Sequence, residues 1–366
     1  MDDGVAGRAG TTLIGMDELR RATARRGAAH PAAGCVVLLS VIGISLCYAQ
    51  NAPKPAKKRY GEQIGPYATV LTEMTLYVQP DTTSTPVTVV EPGREMNLAA
   101  HNGPWLRVFA NTDIQQPEGD DQPIFGNPGT LPPASGWMED RGVISDQTPD
   151  GDQLLFGAAA DAEREAGQPH PPHNAAQNAQ RLYERMAEFF PKSPLAPEAL
   201  WRAADIRWQL EKQDNSTLPS AQEKEAYLRP RISERAMHTL QHKYPGTKWA
   251  DLAAWDMIDN KLCGAWQGST ECPEREAAIY AGYVHDHPNS PKLEQALYDA
   301  AWRFAVLKIE YAQSGDAKRS KVNGDRAVDF AQTIEKRFPG SDYAARAATL
   351  IYKMNNALAV FGEDHD

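Results

Sequence analysis

The sequence predicts a multidomain chain: a small all-β barrel followed by an all-α array of helical-hairpin repeats. Three observations carry this expectation. Between residues 67 and 146, short runs with apolar–polar alternation are separated by tight-turn residues. After Ile144 the apolar spacing becomes that of helices. Across this helical region a single phrase recurs four times: an aromatic residue or His, then Pro, any residue, and Ser or Thr. A length of 366 residues exceeds what one core usually organises. With 42% hydrophobic and 23% charged residues, the composition is globular rather than disordered.

Residues 1–49 read as an export signal. Arg20, Arg21, Arg25 and Arg26 precede the apolar run Ala32–Leu46, and Cys47 and Ala49 put small residues at −3 and −1 of a cleavage site after Ala49. The run falls short of the ~20 residues of a spanning helix; an uncleaved anchor is the alternative. Cleavage takes the net charge from −10 to −11, leaving 33 basic and 44 acidic residues. Neither balance suits a protein that neutralises phosphates, so no nucleic-acid partner is expected. After cleavage the chain is not expected to be integral to the membrane, and its expected location is secreted, in the periplasm.

Cleavage also removes Cys35 and Cys47, leaving Cys263 and Cys272 with eight residues between them. In an oxidising compartment such a pair reads as a disulfide closing a small loop, here one containing Gly264 and Gly268. Two free buried thiols are the alternative. Without nearby His the pair offers too few ligands for zinc.

Residues 50–66, Pro- and Lys-rich, read as a flexible linker. The β-type runs follow: "ATVLTEMTLYV", "VTVVEPGREMNLAA", "PWLRVFA" and "GWMEDRGVI". With turns at Pro92-Gly93 and Asn102-Gly103, they predict about five strands in a barrel over 67–146. The order of "LYVQPDTTSTPVTVVEPGREM", "NGPWLRV" and "GWMEDRGVI" resembles bacterial SH3-type domains. It departs from them in an acidic, Pro/Gly-rich insert over 110–135, where that family has a short hairpin. The resemblance implies an aromatic-lined ligand groove, for which Tyr77, Trp105 and Trp137 are the candidates. For Trp105 and Trp137 the alternative is the barrel core.

Residues 147–176 read as a linker and a leading helix, broken at "GQPHPPHN". His170 and His173 in that Pro-rich stretch read as solvated residues rather than metal ligands. The array is expected over 177–361. Its joints carry Pro191 and Ser193, Pro245 and Thr247, Pro288 and Ser290, and Pro339 and Ser341, with the prolines 54, 43 and 51 residues apart. Upstream of each Pro, apolar residues recur at −1, −5 and −8 or −9, as in Phe190, Met186 and Tyr183. That is one face of a helix. Proline ends the helix and drives the residue before it out of the helical region. The Ser or Thr two residues later is expected to cap the next helix.

This unit resembles tetratricopeptide-like repeats, in particular those of secreted envelope proteins such as the outer-membrane-assembly lipoprotein and the Tol-associated coordinator of envelope division. The resemblance implies stacked hairpins whose concave face holds peptides or partner proteins. No G-x-S-x-G, phosphate loop, H-E-x-x-H or G-x-G-x-x-G occurs, and the helical carboxylates (Glu184, Glu188, Asp205, Glu294, Asp299) read as solvated. No enzyme activity and no cofactor is expected. The expected function is a non-catalytic scaffold of the cell envelope, binding envelope proteins or peptides through the repeats and a peptide or wall element through the barrel. The alternative is a peptidoglycan-binding module with the helices as a spacer.

Overall fold

The computed structural model describes residues 65–113, 134–223, 225–264, 266 and 268–360. The export signal, residues 50–64 of the linker and residues 114–133 of the insert lie outside the described residues.

Seven strands form one curled antiparallel sheet: β1 (Tyr67–Val70), β2 (Met74–Tyr77), β3 (Pro86–Val90), β4 (Met96–Asn102), β5 (Trp105–Ala110), β6 (Ala134–Glu139) and β7 (Val143–Ser145). Their order is β3-β2-β6-β5-β4-β1-β7. The strands outnumber the five expected because the opening and closing segments each split at a turn. Alternation decides which residues go inside. Leu76, Met96, Val108 and Met138 point into one core, while the residues between them face outward. The outer ends of the 110–135 insert are themselves strand: Ala110 pairs with Ala134, and Ser135 with Phe109, in β5 and β6.

Nine α-helices follow among the described residues: α1 (Gly151–Ala166), α2 (Ala175–Phe189), α3 (Ala196–Ser216), α4 (Arg235–Lys243), α5 (Lys248–Asp256), α6 (Glu271–Asp286), α7 (Leu293–Gln313), α8 (Ala317–Arg337) and α9 (Asp342–Asn355). From α1 to α5 and from α6 to α9 each packs against the next in chain order, and Trp255 of α5 meets Tyr280 and Tyr283 of α6. No described helix is long and apolar enough to cross a membrane. Buried side chains fall into successive clusters along the chain, around Leu182, Tyr183 and Met186, then Trp208, Met237 and Leu240, then Leu297, Leu307 and Ile334. Each fully buried large side chain contributes about 1.5–3 kcal/mol of transfer free energy.

The four joints share one backbone geometry. Phe190, Tyr244, His287 and Phe338 end α2, α4, α6 and α8 with φ between −122° and −132° and ψ between 51° and 58°. The next residue in each case is the proline, whose ring excludes the helical region at that position. Neighbouring joints also touch. Tyr244 Oη donates to the Pro191 carbonyl at 3.1 Å, and Arg337 Nη2 to the Pro288 carbonyl at 3.2 Å.

The expected caps hold at two joints and change at the other two. Thr247 and Ser341 accept from the amides of Ala250 and Ala344 at 3.2 and 3.1 Å, directly at the starts of α5 and α9. Ser193 and Ser290 instead stand three residues ahead of α3 and α7. They accept from Leu195 N–H at 3.2 Å and Lys292 N–H at 3.0 Å, each within an i→i+3 turn that leads into the helix. At the first of these joints the reason is local: an α-helical bond to the Ser193 carbonyl would have to come from Pro197, which has no N–H.

The sheet and the first helices form one packed body. The β3–β4 turn lies on α2 so closely that a Cβ on Gly93 (φ 79°) would sit 2.5 Å from Arg181 Cβ and 2.7 Å from the α2 backbone. Arg185 donates from Nε to the Gly93 carbonyl at 3.2 Å, and pairs with Glu95 at 3.3 Å, Asp113 at 3.1 Å and Glu188. Arg181 reaches the Pro92 carbonyl and Glu91, both at 3.1 Å.

Candidate functional site

Two surfaces carry recognition chemistry. The first is the outward face of β2, β6 and β5. Odd positions of β5 (Trp105, Arg107) and of β6 (Trp137, Glu139) face away from the core. In the ladder Tyr77 is opposite Trp137, Trp137 opposite Arg107, and Trp105 opposite Glu139. Tyr77 and Trp105 meet edge to face, 6.0 Å between ring centres. All three aromatic residues are half-buried and none belongs to the sheet core. The three side chains the sequence singles out are thus brought together, on the surface rather than in the core. Rings held this way expose π-faces and edges to a planar or apolar ligand group, with Arg107 and Glu139 beside them.

The second surface runs across α1, α3, α5, α7 and α9. Along it α3 lies beside α1 and α5, and α7 beside α9: Arg202 of α3 reaches Glu163 of α1 at 2.9 Å, Trp201 Nε1 of α3 donates to Asp256 of α5 at 3.3 Å, and Tyr298 of α7 packs on Tyr343 of α9 at 5.8 Å. Trp201 and Trp249 stack at 5.1 Å, with Lys248 Nζ 4.2 Å above the Trp249 ring. Lys292 Nζ lies 5.6 Å over Trp255.

Electrostatics along this face are unbalanced near α3 and α5. Burial pushes the Asp256 carboxyl up to about 7, helped by the like charge of Asp205 and opposed by the Trp201 hydrogen bond and Lys292. Burial likewise raises Asp205 and, on α2, Glu184. The sequence alone makes these two carboxylates solvated, and Asp299 with them. Glu184 and Asp205 are instead half-buried, and Asp299 is buried beside Arg303, because the helices that cover them carry no local mark in the sequence.

Glu276 and Arg303 escape a reading from sequence altogether. Both side chains are fully buried and paired at 3.0 Å. A Glu and an Arg 27 positions apart carry no periodic signal. His170 and His173 are exposed in the α1–α2 connection. Among the described residues no group of His, Cys, Asp and Glu is arranged to hold a metal ion. Cys263 and Cys272 are joined as a disulfide, Sγ–Sγ 2.15 Å, Cα–Cα 6.0 Å.

The chain matches no known protein-family model, and no curated protein matches it significantly.

Proposed function

We propose that this protein is a non-catalytic, exported scaffold of the cell envelope, with tetratricopeptide-like repeats that hold a protein partner and an SH3-like domain that holds a peptide or wall element. The observation that carries the reading is the joint: four prolines preceded by residues of one backbone conformation, and hydrogen bonds from one joint to the next. Hairpins stacked through a repeated joint build an extended face. The face across α1, α3, α5, α7 and α9 offers the half-buried aromatic and charged side chains that recognition uses. The disulfide fits an oxidising compartment such as the periplasm.

A second reading, a peptidoglycan-binding module with the helices as spacer, is favoured by the Tyr77–Trp137–Trp105 face alone. Two variants of the full chain separate the readings. Trp249→Ala with Lys292→Glu alters the helical face, and Tyr77→Ala with Trp137→Ala alters the sheet. The scaffold reading expects the helical variant to lose envelope proteins captured by the wild type while still sedimenting with purified wall. Undiminished capture, together with wall binding lost only in the sheet variant, would establish the spacer reading instead. The sheet variant is expected to melt near the wild-type temperature, because neither ring is in the core.

A further inference from the structure

The Cys263–Cys272 bond closes a loop over buried charge. Both cysteines are buried, at 2% and 1% exposure, and the Glu276 and Arg303 side chains are at 0%. Glu276 Oε2 accepts from Arg303 Nε at 3.0 Å, and Arg303 Nη1 also reaches Asp299 at 3.2 Å. The guanidinium lies over Tyr280 and Trp266, 4.6 and 5.5 Å from the ring centres. The other oxygen, Glu276 Oε1, depends on the loop: it accepts the Cys263 amide at 2.9 Å and the Trp266 indole N–H at 3.1 Å. A buried carboxylate stripped of its donors is costly, and a buried ion pair stands only when its remaining lone pairs are satisfied.

We propose that the Cys263–Cys272 bond is a redox latch on the array: α6 and α7 close around Glu276 and Arg303 only once the thiols are oxidised. On the exported-scaffold reading, on which this rests for its biological setting, the reduced chain keeps this stretch of the partner-binding face open until it reaches an oxidising compartment. Closing the latch forms the Sγ–Sγ bond while two thiols lose two protons and two electrons to an exchangeable disulfide oxidant. A dithiol reductant reverses the step and leaves as its own cyclic disulfide. The latch differs from an ordinary cross-link, which acts on the unfolded chain through loop entropy and is indifferent to what the loop touches.

The test is amide hydrogen exchange on the full chain, refolded from denaturant with and without dithiothreitol, the reductant being kept present through the exchange so that the reduced thiols stay free and unmodified. Reduction is expected to speed exchange in residues 271–313 about tenfold or more and leave the sheet and α1–α3 unchanged. In the variant Glu276→Met with Arg303→Met, reduction is expected to speed exchange in α6 and α7 much less than in the wild type, by the loop-entropy effect of an ordinary cross-link alone. Trp266→Phe, which removes one loop donor but keeps a ring, is expected to loosen α6 and α7 even when oxidised. Equal exchange in the oxidised and reduced wild type would overturn the latch. So would an unchanged oxidised Trp266→Phe chain, or a reduction effect of the same size in the Met variant. A failure of the scaffold reading would appear elsewhere, as partner capture that is absent while the exchange pattern stands.

Discussion

At the scale of single residues, the buried charges decide most. Asp256 has its carboxyl pushed up to about 7, by burial first and by Asp205 second, against a usual value of 3.8. The native state therefore holds the proton more tightly than the unfolded chain does. The stability this contributes is fully present below about pH 4 and is lost as the pH rises through about 7. Asp256→Asn keeps an acceptor for Trp201 Nε1, so it is expected to raise stability by roughly 1–3 kcal/mol at pH 8 and by little at pH 4. Urea melts at the two pH values check this, and an equal change at both would contradict it. Arg303→Leu leaves Glu276 buried without its cation and is expected to cost about 3–5 kcal/mol, more than removing both charges together. Of this chemistry, only the cysteine pair was legible in the sequence. Cysteines are scarce and their spacing is local, whereas the burial of Asp256 and Glu276 is imposed by helices far along the chain.

At the scale of elements, the joints were the most legible feature, because what a proline does to the preceding residue is settled within a few bonds. In the stripe upstream of each proline, the −5 residues Met186, Leu240, Tyr283 and Ile334 are buried at all four joints, as helical periodicity requires. Phe190, Tyr244, His287 and Phe338 at −1, and Phe330 at −8, are half-buried at the end or edge of that face. What could not be read was the length of each joint. Ser193 and Ser290 gain an extra i→i+3 turn before their helices, whereas Thr247 and Ser341 cap directly. Thr247→Ala and Ser341→Ala are accordingly expected to cost about 1 kcal/mol each, with the loss confined to α5 and α9. Ser193 has a further role, since its Oγ donates to Asp152 of α1 at 2.6 Å. Ser193→Ala should therefore loosen α1 as well as α3. Hydrogen exchange resolved by helix distinguishes these patterns, and identical profiles for Ser193→Ala and Thr247→Ala would show the Asp152 bond to be idle.

At the scale of the whole molecule, the change from strand to helix period was readable, but the way the sheet seats on the helices was not. Nothing local marks Pro92-Gly93 as more than a tight turn, or Arg181 and Arg185 as anything but solvated positions on a helix. Seating depends on Gly93 lying against the α2 backbone, with Arg185 threading between Glu95, Asp113 and Glu188. Gly103, in the β4–β5 turn, provides a control: its φ is 59°, and a Cβ there would meet nothing within 4 Å. Gly103→Ala is thus expected to cost only the backbone strain of a left-handed residue, about 1 kcal/mol, with the sheet still seated. Gly93→Ala carries the same strain (φ 79°) and adds a collision with backbone that has no flexible end to give way. It is expected to lift the β3–β4 turn off α2 and part Arg185 from Glu95 and Asp113, leaving it only Glu188 of its own helix. Exchange at several urea concentrations reads the difference. In the wild type and Gly103→Ala, amides of the sheet and of α2 should open together; in Gly93→Ala the sheet should open separately, at lower urea, while α4–α9 keep their protection. Joint opening in Gly93→Ala would mean that the shared cluster of Ile144, Leu155 and Leu182, rather than the turn, couples the sheet to the helices.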